Sequence, residues 1–374
     1  MKKFKLIYYI AIFLAISLSI YTFCLFLINA HMASKMWTYC IITIIFSLFA
    51  GTILQTAFHE IGHVIFGTIT RYKFVCMRIF YLVVQSQHNK IHFTQNQIRG
   101  VFGYTVMSPT SSEYKTQPFV LYSLGGVIFN AILSLILFSI AIATNINIYC
   151  KVVFFVCSFM GLVFVIRNGI PNIVNGLAND GYNAYSQLKH DATHESMYKQ
   201  LKILSALYDG IHPNQMPKEW FLWNKNDPDV TNNPLLVNNL LNYCGKLMEE
   251  KNFTAAKSTF EHIAHDVDKS FSIYINEAKC ELLFLALING ENIQNIYTDE
   301  LKQYLKITRT CLNKKHVMYA LYLIHEKDQV KANSVYNETL KLSENYIPKA
   351  EAEMELEMID YIKKNLQKER IGAI

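Results

Sequence analysis

The stretch that decides the fold is Ala57-Phe58-His59-Glu60-Ile61-Gly62-His63-Val64, at the end of an apolar run over residues 37 to 58. On a helix, residues i and i+4 share a face, so His59 and His63 can direct their imidazoles at one metal ion. Glu60 lies one residue further round, where it can take a proton from a metal-bound water. This composition gives about 0.02 accidental H-E-x-x-H matches. We therefore predict a zinc site, against the alternative of polar residues satisfied by helix packing.

Outward from this motif, the first half of the chain contains four long apolar runs. A bilayer core is crossed by about 20 helical residues, and the runs are close to that length. The first run follows Lys2, Lys3 and Lys5, but it is longer than a signal-peptide core and lacks a cleavage site, so it indicates a retained anchor. The pattern predicts an all-α membrane protein with about four transmembrane helices, at residues 6 to 28, 37 to 58, 118 to 144 and 149 to 167.

Charge divides the chain in two. Residues 1 to 187 hold 12 Lys and Arg but only 3 Asp and Glu, whereas residues 188 to 374 hold 23 and 26. At 52% hydrophobic and 17% charged residues, the whole is too apolar for one soluble globule and excludes a disordered chain. We predict a membrane domain over 1 to 187 and a water-facing domain over 188 to 374.

Orientation follows from Lys and Arg in the short connections. The N-terminal tail is basic, and the connection from 70 to 117 carries six Lys and Arg against Glu113 alone. The other two connections offer only Lys35 and Lys151. We expect a multi-pass protein of the cell membrane whose N-terminus and C-terminal half face the cytoplasm.

A catalytic zinc ion keeps three protein ligands and one open position, so a third ligand is needed. The remaining carboxylates of the first half are Glu113 and Asp180. Asp180 follows the fourth apolar run, after a break at Pro171, at the same predicted membrane face as the histidines. Glu113 lies beside Lys115 in a connection and is predicted to be a solvated surface charge. The sequence favours Asp180.

Three motifs in order give the chain a resemblance to the site-2 protease family of intramembrane zinc metalloproteases, over roughly residues 35 to 187. They are H-E-x-x-H, a G-x-x-x-N from Gly126 to Asn130, and an N-x-x-P with a later D-G at Asn168, Pro171, Asp180 and Gly181. The resemblance implies that His59, His63 and Asp180 bind zinc and that Glu60 is the general base. It also implies that Asn130 holds the scissile peptide or its oxyanion, the alternative being interhelical hydrogen bonding. Eight residues separate Pro171 from Asp180, where many members of the family have about four.

The connection over residues 71 to 117 contains β-branched and aromatic runs at 74 to 84 and 101 to 107. This pattern predicts a small sheet or β-hairpin insertion. A free strand edge could bind an unwound peptide by strand addition. The alternative is a folded loop without a role in binding.

Past residue 188 the pattern changes to amphipathic helices. The segment from Glu250 to Phe260 resembles the segment from Glu326 to Tyr336, at an offset that fits two helix-pair repeats. We predict an α-helical, possibly tetratricopeptide-like soluble domain that binds a protein partner, or a plain bundle that stabilises the enzyme. Its net acidity argues against nucleic acid binding.

Together these features predict a zinc-dependent endopeptidase that hydrolyses peptide bonds of membrane-associated or membrane-spanning substrates near the cytoplasmic leaflet. Two uses fit this activity, which are maturation of a small peptide precursor and release of a membrane-tethered regulator. The alternative function is a catalytically silent membrane scaffold whose helical domain binds a partner protein.

Overall fold

The computed structural model describes residues 2–29, 34–87, 90–95, 102–174, 176–224 and 227–372. The chain divides into two compact units. The first comprises residues 1–85, 100–173 and 178–194, and the second comprises 86–99, 174–177 and 195–374. The main boundary thus lies after residue 194, a few residues beyond the predicted boundary at 187.

Four long helices make up most of the first unit. They are α1 (Lys2–Asn29), α2 (Ser34–Ile69), α3 (Val120–Ala143) and α4 (Ile148–Gly169). Among the described residues, three helical stretches are long and apolar enough to cross a membrane, at Thr38–Ile69, Tyr114–Ala143 and Ile148–Gly169. The fourth predicted crossing, in α1, is not supported: within the part of this helix whose side chains the structure describes, the apolar stretch is Leu6–Ser17. A bilayer needs about 20 helical residues.

The polarity of α2, α3 and α4 is inverted relative to that of a water-soluble bundle. These three helices pack against one another, and polar side chains lie between them. Large apolar side chains on the outer surface of α2 are exposed, as expected where lipid is the solvent. The buried polar residues are Ser47, Gln55, Thr56, Asn130, Ser134 and Ser158, and the exposed apolar residues of α2 include Ile41, Ile42, Ile45, Phe46 and Phe49.

The connection between α2 and α3 forms the small antiparallel sheet that the sequence predicts. Its strands are β1 (Tyr72–Ile79), β2 (Leu82–Gln87), β3 (Lys90–Gln95) and β4 (Gly103–Pro109), in the order β3-β2-β1-β4. β1 pairs with β4 from Tyr72 opposite Pro109 to Ile79 opposite Gly103, with one bulge near Phe74. This register brings β4 beside the C-terminal half of α2, with which both β1 and β4 are in contact.

After α4 the chain makes a tight excursion before the next helix. The helix ends at Gly169, two residues before Pro171, as the sequence predicts. A short hairpin of β5 (Ile173–Val174) and β6 (Leu177–Ala178) follows, and α5 (Asp180–Lys189) begins directly after it. The eight residues between Pro171 and Asp180 are therefore accommodated by a hairpin. The next helix is α6 (Asp191–Tyr208).

The second unit is built mainly from helices. The internal similarity found in the sequence corresponds to a repeated turn, because Lys251 and Lys327 both adopt a positive φ, at 58° and 55°. Asn252 and Asp328 then cap the following helices, and Ala256 and Ala332 are both fully buried. The helices are α7 (Pro234–Glu249), α8 (Phe253–Asp266), α9 (Ser272–Ile288), α10 (Asp299–Thr308), α11 (Lys315–Ala320), α12 (Gln329–Ser343) and α13 (Lys349–Gly372).

Candidate metal centre

The structure brings together the three side chains that the sequence assigns to a metal. His59 and His63 lie on α2, and Asp180 is the first residue of α5. The Nε2 atoms of the two histidines are 3.2 Å apart. Asp180 Oδ2 lies 3.0 Å from His59 Nε2 and 3.5 Å from His63 Nε2. This buried group could hold a metal ion.

The hydrogen bonds of His59 determine which of its ring nitrogens carries the proton. Its Nδ1 lies 2.7 Å from Asn130 Oδ1. The Asn130 amide nitrogen already donates to the backbone oxygen of Gln55 at 2.8 Å and to Gln55 Oε1 at 2.7 Å, so the atom facing His59 is an acceptor. His59 Nδ1 must therefore donate. The lone pair of its Nε2 is then directed at the ligand group.

His63 is fixed in the same way by the backbone. Its Nδ1 lies 2.8 Å from the carbonyl oxygen of Tyr122, which can only accept. The Nε2 lone pair of His63 therefore also points at the ligand group. Two imidazole lone pairs and one carboxylate oxygen converge at hydrogen-bond distance. A proton can bridge one pair of these atoms, whereas a metal ion satisfies all three.

The spacing of the three atoms is within about 0.3 Å of that expected for a tetrahedral zinc ion. Zn–N and Zn–O bonds of about 2.0–2.2 Å at tetrahedral angles place neighbouring ligand atoms about 3.3–3.5 Å apart. The observed separations are 3.0, 3.2 and 3.5 Å. Two imidazoles and one carboxylate also form a common donor set of catalytic zinc sites, which leave a fourth position for water. The residues present therefore fit the ion.

Asp180 reaches the site because Asn179 fastens the segment before it. The Asn179 amide donates to the carbonyl oxygens of Arg167 and Ile170, both at 2.7 Å, at the end of α4. Its Oδ1 accepts from the backbone of Asn172 and caps α5 through the N–H of Tyr182. The hairpin between Pro171 and Asp180 therefore leaves the ligand in place.

Gly181, next to the ligand, permits a close approach of α5 to α4. A Cβ at this position would collide with the carbonyl oxygen of Gly169. In the D-G pair, Asp180 therefore supplies the ligand atom, and Gly181 is the one residue type that lets the backbone of α5 approach Gly169 this closely.

Glu60 lies beside the ligand group and is held by the sheet. It is buried, and its Oε2 accepts a hydrogen bond from the hydroxyl of Thr105 on β4 at 2.7 Å. Its Oε1 lies against Gly103, where an added Cβ would come within 2.5 Å. The carboxylate is close enough to interact electrostatically with both histidines and with Asp180. One carboxylate oxygen is therefore fixed, and the other lies over a position without a side chain.

The G-x-x-x-N motif on α3 supports His59 at two points. A Cβ at Gly126 would come within 2.5 Å of the His59 ring, so only glycine leaves room for the imidazole. Asn130 is fully buried, and its amide hydrogens and its carbonyl oxygen are all engaged, with Gln55 and His59. These contacts assign Asn130 to positioning His59. The predicted contact with a scissile peptide or an oxyanion would require one of these hydrogen bonds to break.

Sequence reasoning missed three residues of the site, namely Gln55, Thr105 and Tyr122. Gln55 had a usable signal, because it is a polar residue in an apolar run, one helical turn before His59. Tyr122 contributes a backbone carbonyl, which no side-chain pattern reveals. The contact between Thr105 and Glu60 depends on the register of β4 in the sheet, which the sequence does not reveal. Glu113, in contrast, is exposed, as expected for a surface charge.

Comparison with known proteins identifies no relative of this chain. No family model matches the chain, and no curated protein and no solved structure matches it at a significant level. The assignment of chemistry to this site accordingly depends on its geometry.

Proposed function

We propose that this protein is a zinc-dependent endopeptidase that hydrolyses peptide bonds of membrane-associated or membrane-spanning substrates. The observation that carries the proposal is the convergence of His59 Nε2, His63 Nε2 and Asp180 Oδ2 beside Glu60, with both histidines and Glu60 on a helix apolar enough to cross a membrane. A carboxylate and two imidazoles at bilayer depth are energetically expensive and usually functional.

Zinc is the ion that we assign to the site, held by His59, His63 and Asp180. Imidazole and carboxylate donors also suit other divalent metals, and we choose zinc because two imidazoles and one carboxylate are a common donor set of catalytic zinc sites. At such a site zinc lowers the pKa of a water molecule towards 7 and polarises a carbonyl group. The hydrogen bonds from His59 to Asn130 and from His63 to the Tyr122 carbonyl keep both Nε2 lone pairs available for the ion.

Glu60 is the residue that we assign to proton transfer. Thr105 holds its Oε2, so Oε1, over Gly103, is the oxygen that would take the proton of the attacking water and pass it to the leaving amine. Because the Thr105 hydroxyl fixes the carboxylate in one orientation, the transfer needs no rotation of the Glu60 side chain. Thr105 is thus a positioning residue for the base.

The sheet provides a place to present the substrate in an extended form. An α-helix engages its own carbonyls in hydrogen bonds and must unwind before it is cut. β4 lies at one end of the described sheet order, so one of its edges has no described partner strand. The same strand carries Thr105, which contacts Glu60. A peptide added along β4 would therefore pass close to the proposed base.

Cleavage beside the cytoplasmic leaflet would suit two substrate classes, small peptide precursors and membrane-tethered regulators. Both present an extended segment next to a membrane. The catalytically silent scaffold is the competing function. The scaffold hypothesis predicts that the site binds a metal ion or packs the helices but does not cleave a peptide.

The experiment compares the wild-type chain with Glu60→Gln and Glu113→Gln in detergent or liposomes, with a set of membrane-peptide substrates. Glu113 is the matched control, since it is the exposed carboxylate of the same half. We expect one zinc ion per chain in all three proteins by elemental analysis, and cleavage lost only in Glu60→Gln. Equal cleavage by Glu60→Gln would reject the general-base assignment. Absence of zinc from the wild type would reject the peptidase proposal itself.

A further inference from the structure

The second unit contains a cavity that the proposed peptidase chemistry does not use. Its volume is about 230 Å³, and it is lined by residues of α7, α8, α9, α11 and α13 and of the turns before α8 and α11. Small-molecule sites are usually larger, roughly 300–1,000 Å³. A cavity of this size suits one or two side chains of a larger partner. We call it the α13 cavity.

The floor of the α13 cavity is apolar and adaptable. Three of its apolar residues are methionines, whose flexible thioethers pack against differing partners. Gly245 on α7 adds open space, because a Cβ built there meets no atom within 4 Å. The apolar lining residues are Leu241, Met248, Phe260, Leu312, Met354 and Met358.

The walls of the α13 cavity are strongly acidic. Six glutamates line it, against Lys251 and His316 as the lining basic residues. Most of the glutamates have a basic partner or neighbour. His316 lies between Glu281 and Glu355, at 3.1 and 2.9 Å.

Two further wall glutamates form ion pairs with residues that do not line the cavity. Glu249 accepts from His212 at 2.7 Å, and Glu277 pairs with Lys314 at 2.5 Å. At the rim, Glu357 interacts with Lys251.

Glu351 is the exception. Among the ion pairs of the described residues, none joins it to a Lys, Arg or His. Its one described hydrogen bond is a long one, with the Tyr346 hydroxyl at 3.4 Å. Burial and the neighbouring carboxylate of Glu355 raise the pKa of Glu351 to about 7. Glu351 is half-buried, and a carboxylate withdrawn from water without a cation is costly unless a ligand supplies one.

The face of α13 combines both kinds of residue in a regular pattern. Glu351, Met354, Glu355 and Met358 are spaced i, i+3, i+4 and i+7, so they form one stripe along the helix. The stripe alternates carboxylates with thioethers. A lysine or arginine side chain matches it, because its charged head needs a carboxylate and its hydrocarbon stem packs on apolar surface.

We propose that the α13 cavity binds a basic, amphipathic peptide segment, with one lysine or arginine side chain on Glu351 and an adjacent apolar side chain on the methionines. Charge complementarity selects this partner. Anionic partners such as nucleic acid or acidic lipid are repelled by the glutamates. A simple polyamine would leave the methionine floor uncovered. The proposal does not depend on the peptidase activity.

The test measures binding of a short fluorescein-labelled peptide that alternates leucine and lysine, by anisotropy, to the full chain in detergent. The Glu60→Gln background keeps the probe intact. Gly245→Trp fills the cavity, and Gly245→Ala is its matched control. Because both variants carry the same micelle, binding to detergent contributes equally to each. We expect Gly245→Trp and Glu351→Gln to bind the probe about tenfold more weakly than Gly245→Ala.

Three results would overturn the proposal. They are equal affinity of Gly245→Trp and Gly245→Ala, equal affinity for a probe with glutamate in place of lysine, and displacement of the probe by spermidine at the concentrations where unlabelled peptide displaces it. Thermal unfolding of each variant establishes that it is folded, and Glu351→Gln gives a second readout if Gly245→Trp does not fold.

Discussion

Replacing Asn130 with leucine separates positioning of the metal ligand from direct catalysis. The substitution keeps the branched shape and the number of side-chain heavy atoms, and it removes the three hydrogen bonds of the Asn130 side chain, to Gln55 O, Gln55 Oε1 and His59 Nδ1. The site is fully buried, so water cannot replace these bonds readily. His59 then loses the group that orients its ring and fixes its tautomer.

The size of the effect follows from the contacts that are lost. Loss of the partner that orients a metal-binding histidine weakens metal affinity by about 10- to 100-fold, or about 1.4–2.7 kcal/mol. Two groups, Gln55 Oε1 and His59 Nδ1–H, are left without a partner. Each would destabilise a water-soluble protein by about 1–3 kcal/mol, whereas side-chain hydrogen bonds within membranes average nearer 0.6 kcal/mol. We therefore expect a loss of about 1–3 kcal/mol in unfolding free energy.

The assay is zinc affinity by competition with a chromophoric chelator in detergent. Gln55→Met provides a graded comparison, because Asn130 then keeps its bonds to the Gln55 backbone oxygen and to His59. We expect zinc affinity to fall in the order wild type, Gln55→Met, Asn130→Leu. Unchanged affinity in Asn130→Leu would refute the positioning role. If kcat at saturating zinc then falls by about 10²–10³, Asn130 is an oxyanion donor instead.

Three further substitutions test the metal site and the second unit. Gly126→Ala places a Cβ 2.5 Å from the His59 ring, so the zinc content should fall well below one ion per chain, and full zinc content would contradict the packing argument. His316→Gln leaves the buried carboxylate of Glu355 and the half-buried carboxylate of Glu281 without their cation, and it should lower the free energy of unfolding by about 3–5 kcal/mol. Burial opposes protonation of His316, but the two glutamates outweigh it and raise the pKa of His316 to about 10. Its stabilising effect should therefore be complete below about pH 6.5 and disappear as the pH rises through 10. Denaturant titrations at several pH values measure this dependence. Burial raises the pKa of Glu351 to about 7, so its charge destabilises the fold at high pH. Glu351→Gln should therefore be more stable than wild type by about 3 kcal/mol at pH 8 and equally stable below about pH 4.5. Equal stability at pH 8 would contradict a destabilising charge.

The fold was predictable where one physical rule acts over a long stretch. Apolar runs of bilayer length gave the three helical spans, and the β-branched runs gave the sheet. The 76-residue internal similarity corresponds to paired turns at Lys251 and Lys327, because both positions follow a helix and precede a side-chain cap. The first apolar run forms α1, as its composition predicts, but its crossing of a membrane is not supported. The hairpin between Pro171 and Asp180 was also missed, since strands of two residues carry no periodic signal.

The candidate ligands could be found by elimination because a carboxylate is so costly in a membrane. Only three acidic residues occur in the first 187, so once Glu60 is assigned to the helix motif, two candidates remain. The residues that orient the ligands cannot be found in this way. Neutral side chains such as Gln55 and Thr105 carry a much smaller penalty in lipid, and many of them occur in the same helices. What distinguishes them is a distance of about 2.7 Å to one particular atom, and that distance exists only once α2, α3 and β4 have packed.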